Sequence, residues 1–513
     1  MGSTCSLLAR LWRSLQVETH GGYSSQRVLE LAKYRNEASW LRVITILFIT
    51  PLPCLLVPVF VDLLPLANPF QGIHANKMFY VRLFYTFLVD TFLATCQFRI
   101  SVPALSYPLA RVIRNTVVVS VIGVGVSYGL AASIGFPLPF SAMIIAPSWV
   151  SLVLVSLAIE WGKQIKGTPG AGTMVINAFK LWMCEASLVF TYPVYYYTFT
   201  TLPRRGKTAF TLLLPVLKIL MKNIIARSVV HLKDEMPEVV VLNVDVFNNL
   251  FLCYCMHNSP SLWVTLEIIL FDVLMMAFSL NDARNEHRNL LDIERRIEQE
   301  RGWNSFITRG GLSSGRATKR LTTLDRASMI LQNTRLTTSS SGLDISPAAS
   351  RSMKSIAPIG KVRVHPAASS DGRAPIRYAR KVQRLVYVAE FLLLLNYVEV
   401  VIPLIYSMYL YAMYHLPNRD YYIQLRGVDQ DHLRLMLNNV LFYCSLQLVS
   451  LLMLLFALRY FVGLAPIHQL AYVLERQFRG VQLKFVFWVY YNVHASLQHS
   501  GYDYSLKFNW MHH

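Results

Sequence analysis

Five carboxylates fall near the middle of long apolar runs: Asp90, Glu185, Glu267, Asp272 and Glu399. A charged side chain at that depth costs roughly 2.5–3.5 kcal/mol on insertion scales unless it is paired or hydrated. Held in low dielectric, a carboxylate can load and release protons or attract a cation. A set of them suits a polar path for protons, metal cations or organic cations. Asn396 and Glu399 stand three residues apart, on one face of a helix. Arg82, Lys180 and Asn396 are the candidate partners: Arg82 precedes Asp90 by about two turns, and Lys180 shares a run with Glu185. The competing reading is that such groups pair internally, Arg82 with an acid on another helix for example, and fix packing without moving anything.

The runs that carry these residues are membrane spans by length. Val43 to Leu66 reads VITILFITPLPCLLVPVFVDLLPL, enough to cross about 30 Å of hydrocarbon at 1.5 Å per residue. Hydrophobic residues make up 54% of the 513, and the mean hydropathy is +0.38. The expected fold is all-α: a polytopic transmembrane helix bundle of about ten spans (eight to eleven). The candidates are residues 43–66, 78–98, 113–134, 140–160, 176–200, 208–230, 237–256, 261–280, 384–411 and 435–458, with 481–496 either crossing or lying in the interface. Residues 208–230 hold Lys218 and Lys222 one turn apart, which also fits an in-plane amphipathic helix. Residues 237–256 hold Asn243, Asp245, Asn248 and Asn249, which fits a re-entrant segment or one deep in the bundle. Prolines such as Pro51 and Pro403 interrupt several runs and can kink them.

Charge sets the expected orientation and domain plan. Residues 305–381 hold 14 Lys or Arg against three Asp or Glu, and the leader holds six against three. Basic segments stay on the cytoplasmic side, so an even number of spans separates the two. The plan is a cytoplasmic leader (1–42), an N-terminal transmembrane bundle (43–280), a charged juxtamembrane helix (281–304), a loop (305–382) and C-terminal transmembrane segments with a tail (383–513). The loop has some twenty Ser or Thr and two aromatics before residue 382. That composition predicts a disordered, basic cytoplasmic loop. Thr318, Thr323, Ser328 and Ser346 lie beside basic residues or proline and are candidate phosphorylation sites. The first residues, Met-Gly-Ser-Thr-Cys-Ser, fit N-myristoylation at Gly2 with palmitoylation at Cys5.

The net charge of +20 points to anionic lipid head groups at the cytoplasmic face, since no nucleic-acid motif accompanies it. No phosphate-binding loop, potassium filter, HExxH or GxSxG motif is present, so no enzymatic activity, cofactor or metal site is expected. The seven cysteines form no paired framework.

The block from Leu464 to Trp510 contains QLAYVLERQ, VQLKFVFW and HSGYDYSLKFNW. It resembles the endings of a large family of multi-pass membrane proteins of oomycetes that has no assigned activity. Trp40, Arg42, Pro51, Pro65 and Asn68 to Gly72 are similar as well. The resemblance implies a multi-span protein and transfers no functional residue. The leading functional expectation is a multi-pass integral membrane protein acting as a secondary transporter or channel-like permease for a small solute or ion. The alternative is a membrane-anchored signalling or scaffold protein acting through its basic, phosphorylatable loop. Mid-depth acids converging on one cavity favour the first; dispersed, locally paired acids favour the second. The sequence does not say which membrane, which substrate or which oligomeric state.

Overall fold

The computed structural model describes residues 16–19, 21–203, 210, 213–258, 262–300, 322–340 and 373–501. In chain order the helices are α1 (Ser25–Glu37), α2 (Trp40–Ile49), α3 (Leu52–Asp62), α4 (Lys77–Ser101), α5 (Leu109–Ile134), α6 (Ser141–Gly167), α7 (Ala171–Thr201) and α8 (Leu213–Ser228). They continue as α9 (Met236–Asn258), α10 (Leu262–Glu300), α11 (Thr323–Ser340), α12 (Arg373–Tyr414), α13 (Gln430–Tyr460), α14 (Pro466–Arg476) and α15 (Phe478–Ala495). Among the described residues the only β pairing is an isolated bridge between Tyr422 and Leu497. Eight segments there are long and apolar enough to cross a bilayer: α2–α3 together, α4, α5, α6, much of α7, α9, α12 and α13. The chain is a helical membrane protein.

Burial separates hub from rim. In α9 and in α12, 89% of the spanning window is buried, against 17% in α6 and 28% in α2–α3, α5 and α7. The rim helices turn Leu, Ile, Val and Phe outward, as lipid contact allows. Helix α12 packs on α9, α10, α13, α3, α11 and α14, so segments on both sides of the central loop share one core. A second cluster, around Phe98, Trp161 and Trp182, ties α4, α5, α6 and α7 together.

The ambiguous stretches resolve as helices inside the bundle. Helix α8, 16 residues long, packs against α7 and α9 with Lys218 and Lys222 buried. Helix α9 is continuous and central. Helix α15, which takes in 481–495 of the stretch 481–496, packs on α3, α4 and α9.

The break in the first span shows how the bundle satisfies backbone groups. Pro51 has no N–H, so the Leu47 carbonyl loses its helical donor. The Tyr397 hydroxyl of α12 donates to that carbonyl at 2.7 Å, and Gln482 of α15 donates to the Thr50 carbonyl at 2.7 Å.

Contacts between connecting segments define two opposite faces. On one, Tyr34 and Arg42 bond Glu475 of α14, Tyr472 bonds Glu30, Arg35 pairs with Asp325, and Lys381 pairs with Glu286. On the other, Asn418 holds the Asp62 and Leu64 carbonyls at 2.9 and 2.7 Å, and Phe140 N–H donates to the Gly501 carbonyl. Gly501 sits at φ +65°, where a Cβ would lie 2.0 Å from the Leu138 carbonyl oxygen, so only glycine fits. Beside it, His499 Nε2–H donates to the Ala67 carbonyl at 2.8 Å, and burial pushes its imidazole down to about 4.

The structure adds one element to the central stretch. The stretch 305–382 contains α11, packed on α1 and α12. Leu324, Ala327 and Ile330 recur every three residues and are buried, an apolar stripe that the average composition concealed. Thr323 and Ser328 lie on this helix, and Ser328 Oγ donates to the Asp325 carbonyl at 2.7 Å. Gly2, Cys5, Thr318 and Ser346 lie outside the described residues.

The leader and α11 share a face, as the charge rule requires if both are cytoplasmic. A glycosylation sequon on a short linker at Gly72 should therefore be modified, and one placed within 341–372 should not. The reverse pattern would invert the orientation.

Candidate ion site

Five helices bring charged or polar side chains to one place at mid-depth. Helix α8 supplies Lys218 and Lys222, four residues apart and so on one face. Asp245 comes from α9, Asp272 from α10, Asn396 and Glu399 from α12, and Gln447 and Ser450 from α13. Lys218 Nζ lies 2.9 Å from Glu399 Oε1, 3.1 Å from Asp245 Oδ1 and 3.7 Å from Asp272 Oδ1. Lys222 Nζ lies 2.9 Å from Asp245 Oδ2 and 5.7 Å from the centre of the Phe391 ring.

Neutral donors hold Asp272 and Asn396 in place. Gln447 Nε2 donates to Asp272 Oδ2 at 3.2 Å and to the Tyr443 hydroxyl at 3.0 Å; that hydroxyl donates to Asn249 Oδ1 at 3.2 Å. Ser450 Oγ donates to Asn396 Oδ1 at 3.1 Å. Pro403, one turn beyond Glu399, removes the N–H that would bond the Glu399 carbonyl, which leaves a further acceptor on α12.

The charges do not cancel. Two ammoniums against three carboxylates leave one negative charge when all five are ionised. Beside them lies a cavity of about 60 Å³, room for roughly four waters at 10–15 Å³ each. Its polar wall includes Lys218, Asp272, Asn396, Glu399 and Ser450, and its apolar wall Met275, Met276, Phe391 and Leu395.

The other acids singled out in the sequence lie elsewhere. Glu185 pairs with Lys484 of α15 and accepts from Gln97 at 2.8 Å. Lys180 is exposed, because five residues along a helix turn it away from Glu185. Arg82 pairs with Asp62, and its Nη2 donates to the Tyr422 hydroxyl at 2.6 Å. Asp90 stands apart on α4, and its Oδ1 has no hydrogen-bond partner among the described residues. The Glu267 side chain lies outside the described residues. Glu390 pairs with Arg27 of the leader at 2.8 Å. So Asp272 and Glu399 converge, Asp90 and Glu185 do not, and Asp245, Lys218 and Lys222 join from helices whose polarity had made them doubtful spans.

The fold and site define a polytopic helical membrane protein with a buried ionic cluster beside a polar cavity. No family model, curated protein or solved structure matches the chain.

Proposed function

We propose that the protein is a permease whose transport cycle is coupled to a proton or a small monovalent cation bound at the Lys218–Asp245–Asp272–Glu399 cluster. The observation that carries this reading is the uncancelled negative charge beside a cavity at mid-depth. An unbalanced charge in low dielectric is costly, and one proton or one monovalent cation removes it. Lys218 Nζ already fills the centre of the three carboxylates, so an arriving cation must compete with a tethered one. Among the described residues no group of His, Cys, Asp and Glu is spaced to hold a metal ion, which favours a proton or monovalent cation over a divalent metal.

The test needs no knowledge of the solute. Protein adsorbed in a solid-supported membrane is challenged with a jump in proton, sodium or potassium concentration, and the displaced charge is recorded. Wild type should give a current with at least one of the three. Glu399→Gln and Asp272→Asn each bring the cluster to neutrality, so each should abolish that current without lowering thermal stability. Asp90→Asn should leave it in place. Folded wild-type protein that shows no displacement with any of the three ions would remove the reading.

A further inference from the structure

The cavity beside the cluster is bounded on the leader face by the leader itself. Gln16, Val17 and Glu18 line it, and the turn Val17–Thr19 packs on α8 and α12. Val17 is buried, and Glu18 Oε1 accepts from Ser279 of α10 at 3.2 Å. This turn therefore bridges helices that form three sides of the cavity.

The residues that follow anchor the turn. Tyr23 N–H donates to the Gln383 carbonyl at 3.2 Å, and Ser24 N–H donates to Asp234 Oδ1 at 2.7 Å. Arg27 Nη2 donates to both Glu390 oxygens, at 2.8 and 3.0 Å, while its guanidinium lies 4.7 Å from the centre of the Tyr23 ring. Gly21 lies so close to Tyr387 that a Cβ there would sit 2.1 Å from the ring. Besides these polar contacts and the tight glycine approach, Val17 and Tyr23 are the side chains of the segment that enter the main apolar core.

We infer that the turn Val17–Thr19 is a removable stopper that closes the cluster's cavity from the leader face, held shut by the Arg27–Glu390 pair and by the approach of Gly21 to Tyr387. The inference rests on the permease reading for its purpose, but its geometry stands without it. With the stopper in place the turn covers the cavity on the leader side. With it released, water and cations from that side reach Lys218 and Glu399.

Access to the cavity can be measured directly. Ser450→Cys places a near-isosteric thiol on the cavity wall, and its rate of modification by a small cationic methanethiosulfonate added from the leader face reports access. Gly72→Cys, in the exposed loop of the opposite face, reports the openly accessible rate when reagent is added from that side. The stopper is released by Arg27→Met with Glu390→Met, which removes both charges together, and independently by Gly21→Ala, which touches no charge. A released state populated at no more than about 10% in the intact protein predicts that each change speeds modification of the Ser450→Cys thiol about tenfold. Modification of the Gly72→Cys thiol should not change. The inference fails if the thiol at 450 reacts as fast as the one at 72 with the leader intact, or if neither release alters its rate in protein that retains its unfolding temperature. A raised modification rate without any charge displacement would leave the stopper standing and remove the permease reading. Charge displacement without a rate change would do the opposite.

Discussion

Lys218→Met is expected to lower stability by about 3–5 kcal/mol, because it leaves buried carboxylates without the cation that compensates them. Lys218 is the sole described partner of Glu399 among basic groups, and it shares Asp245 with Lys222. Without it the cluster carries two uncancelled negative charges. Adding Glu399→Gln and Asp272→Asn to Lys218→Met leaves Lys222 opposite Asp245, a neutral pair, and should restore most of the loss. The measurement is chaotrope or thermal unfolding in detergent for the single and triple variants. Groups in one ionic network do not behave additively, so a triple variant that merely sums the single effects would show that the cluster is not coupled. A Lys218→Met protein as stable as wild type would show that the ammonium is not holding the carboxylates.

Arg82→Met should be comparably severe, again by about 3–5 kcal/mol, and for a purely structural reason. Arg82 and Asp62 are almost completely buried, with side-chain exposures of 1% and 0%. The Tyr422 hydroxyl bonds both groups, and Tyr409 lies 3.4 Å from Asp62 Oδ2. This network joins α3, α4, α12 and the 415–429 loop on the face opposite the leader. Asp62→Asn combined with Arg82→Met removes both charges and should recover most of the stability. The double variant should keep the displacement current of the wild type, since it shares no described partner with the Lys218 cluster. Its cost should add to that of Lys218→Met within about 0.5 kcal/mol. Loss of the current on removing the Arg82–Asp62 pair would place that pair in the transport path instead.

The class of the protein was legible in the apolar runs, because it follows from transfer free energies that act residue by residue. The site was legible only in part. Asp272 and Glu399 stood out because each is an acid near the middle of a long apolar window. Lys218, Lys222 and Asp245 were visible too, but they lowered the hydropathy of their own helices and so argued against those helices as spans. The same polarity is what the site is made of: α8 and α9 tolerate charge because they pack against one another in the middle of the bundle. Which acid meets which lysine depends on helix neighbours hundreds of residues apart, and no local period encodes that. Lys180 and Glu185 illustrate the reverse error, where proximity along the chain implied a partnership that helical geometry forbids. Helix α11 was hidden for a third reason. Its three-residue stripe is short, and the Ser- and Arg-rich composition around it dominates any average.

The capped break in the first span also carries information about time. Tyr397 is 350 residues downstream of the Leu47 carbonyl it satisfies, and Gln482 is 432 residues downstream of Thr50. At about 5–20 residues per second, ribosomes need roughly 20–70 s to reach Tyr397 after making Leu47. Through that interval the first span sits in the bilayer with two backbone acceptors that only later helices can bond. A nascent chain of this protein is thus incomplete in the membrane until its carboxy-terminal helices emerge. Chains cut short before α12 would present an open polar notch to the machinery that recognises and clears unassembled membrane proteins.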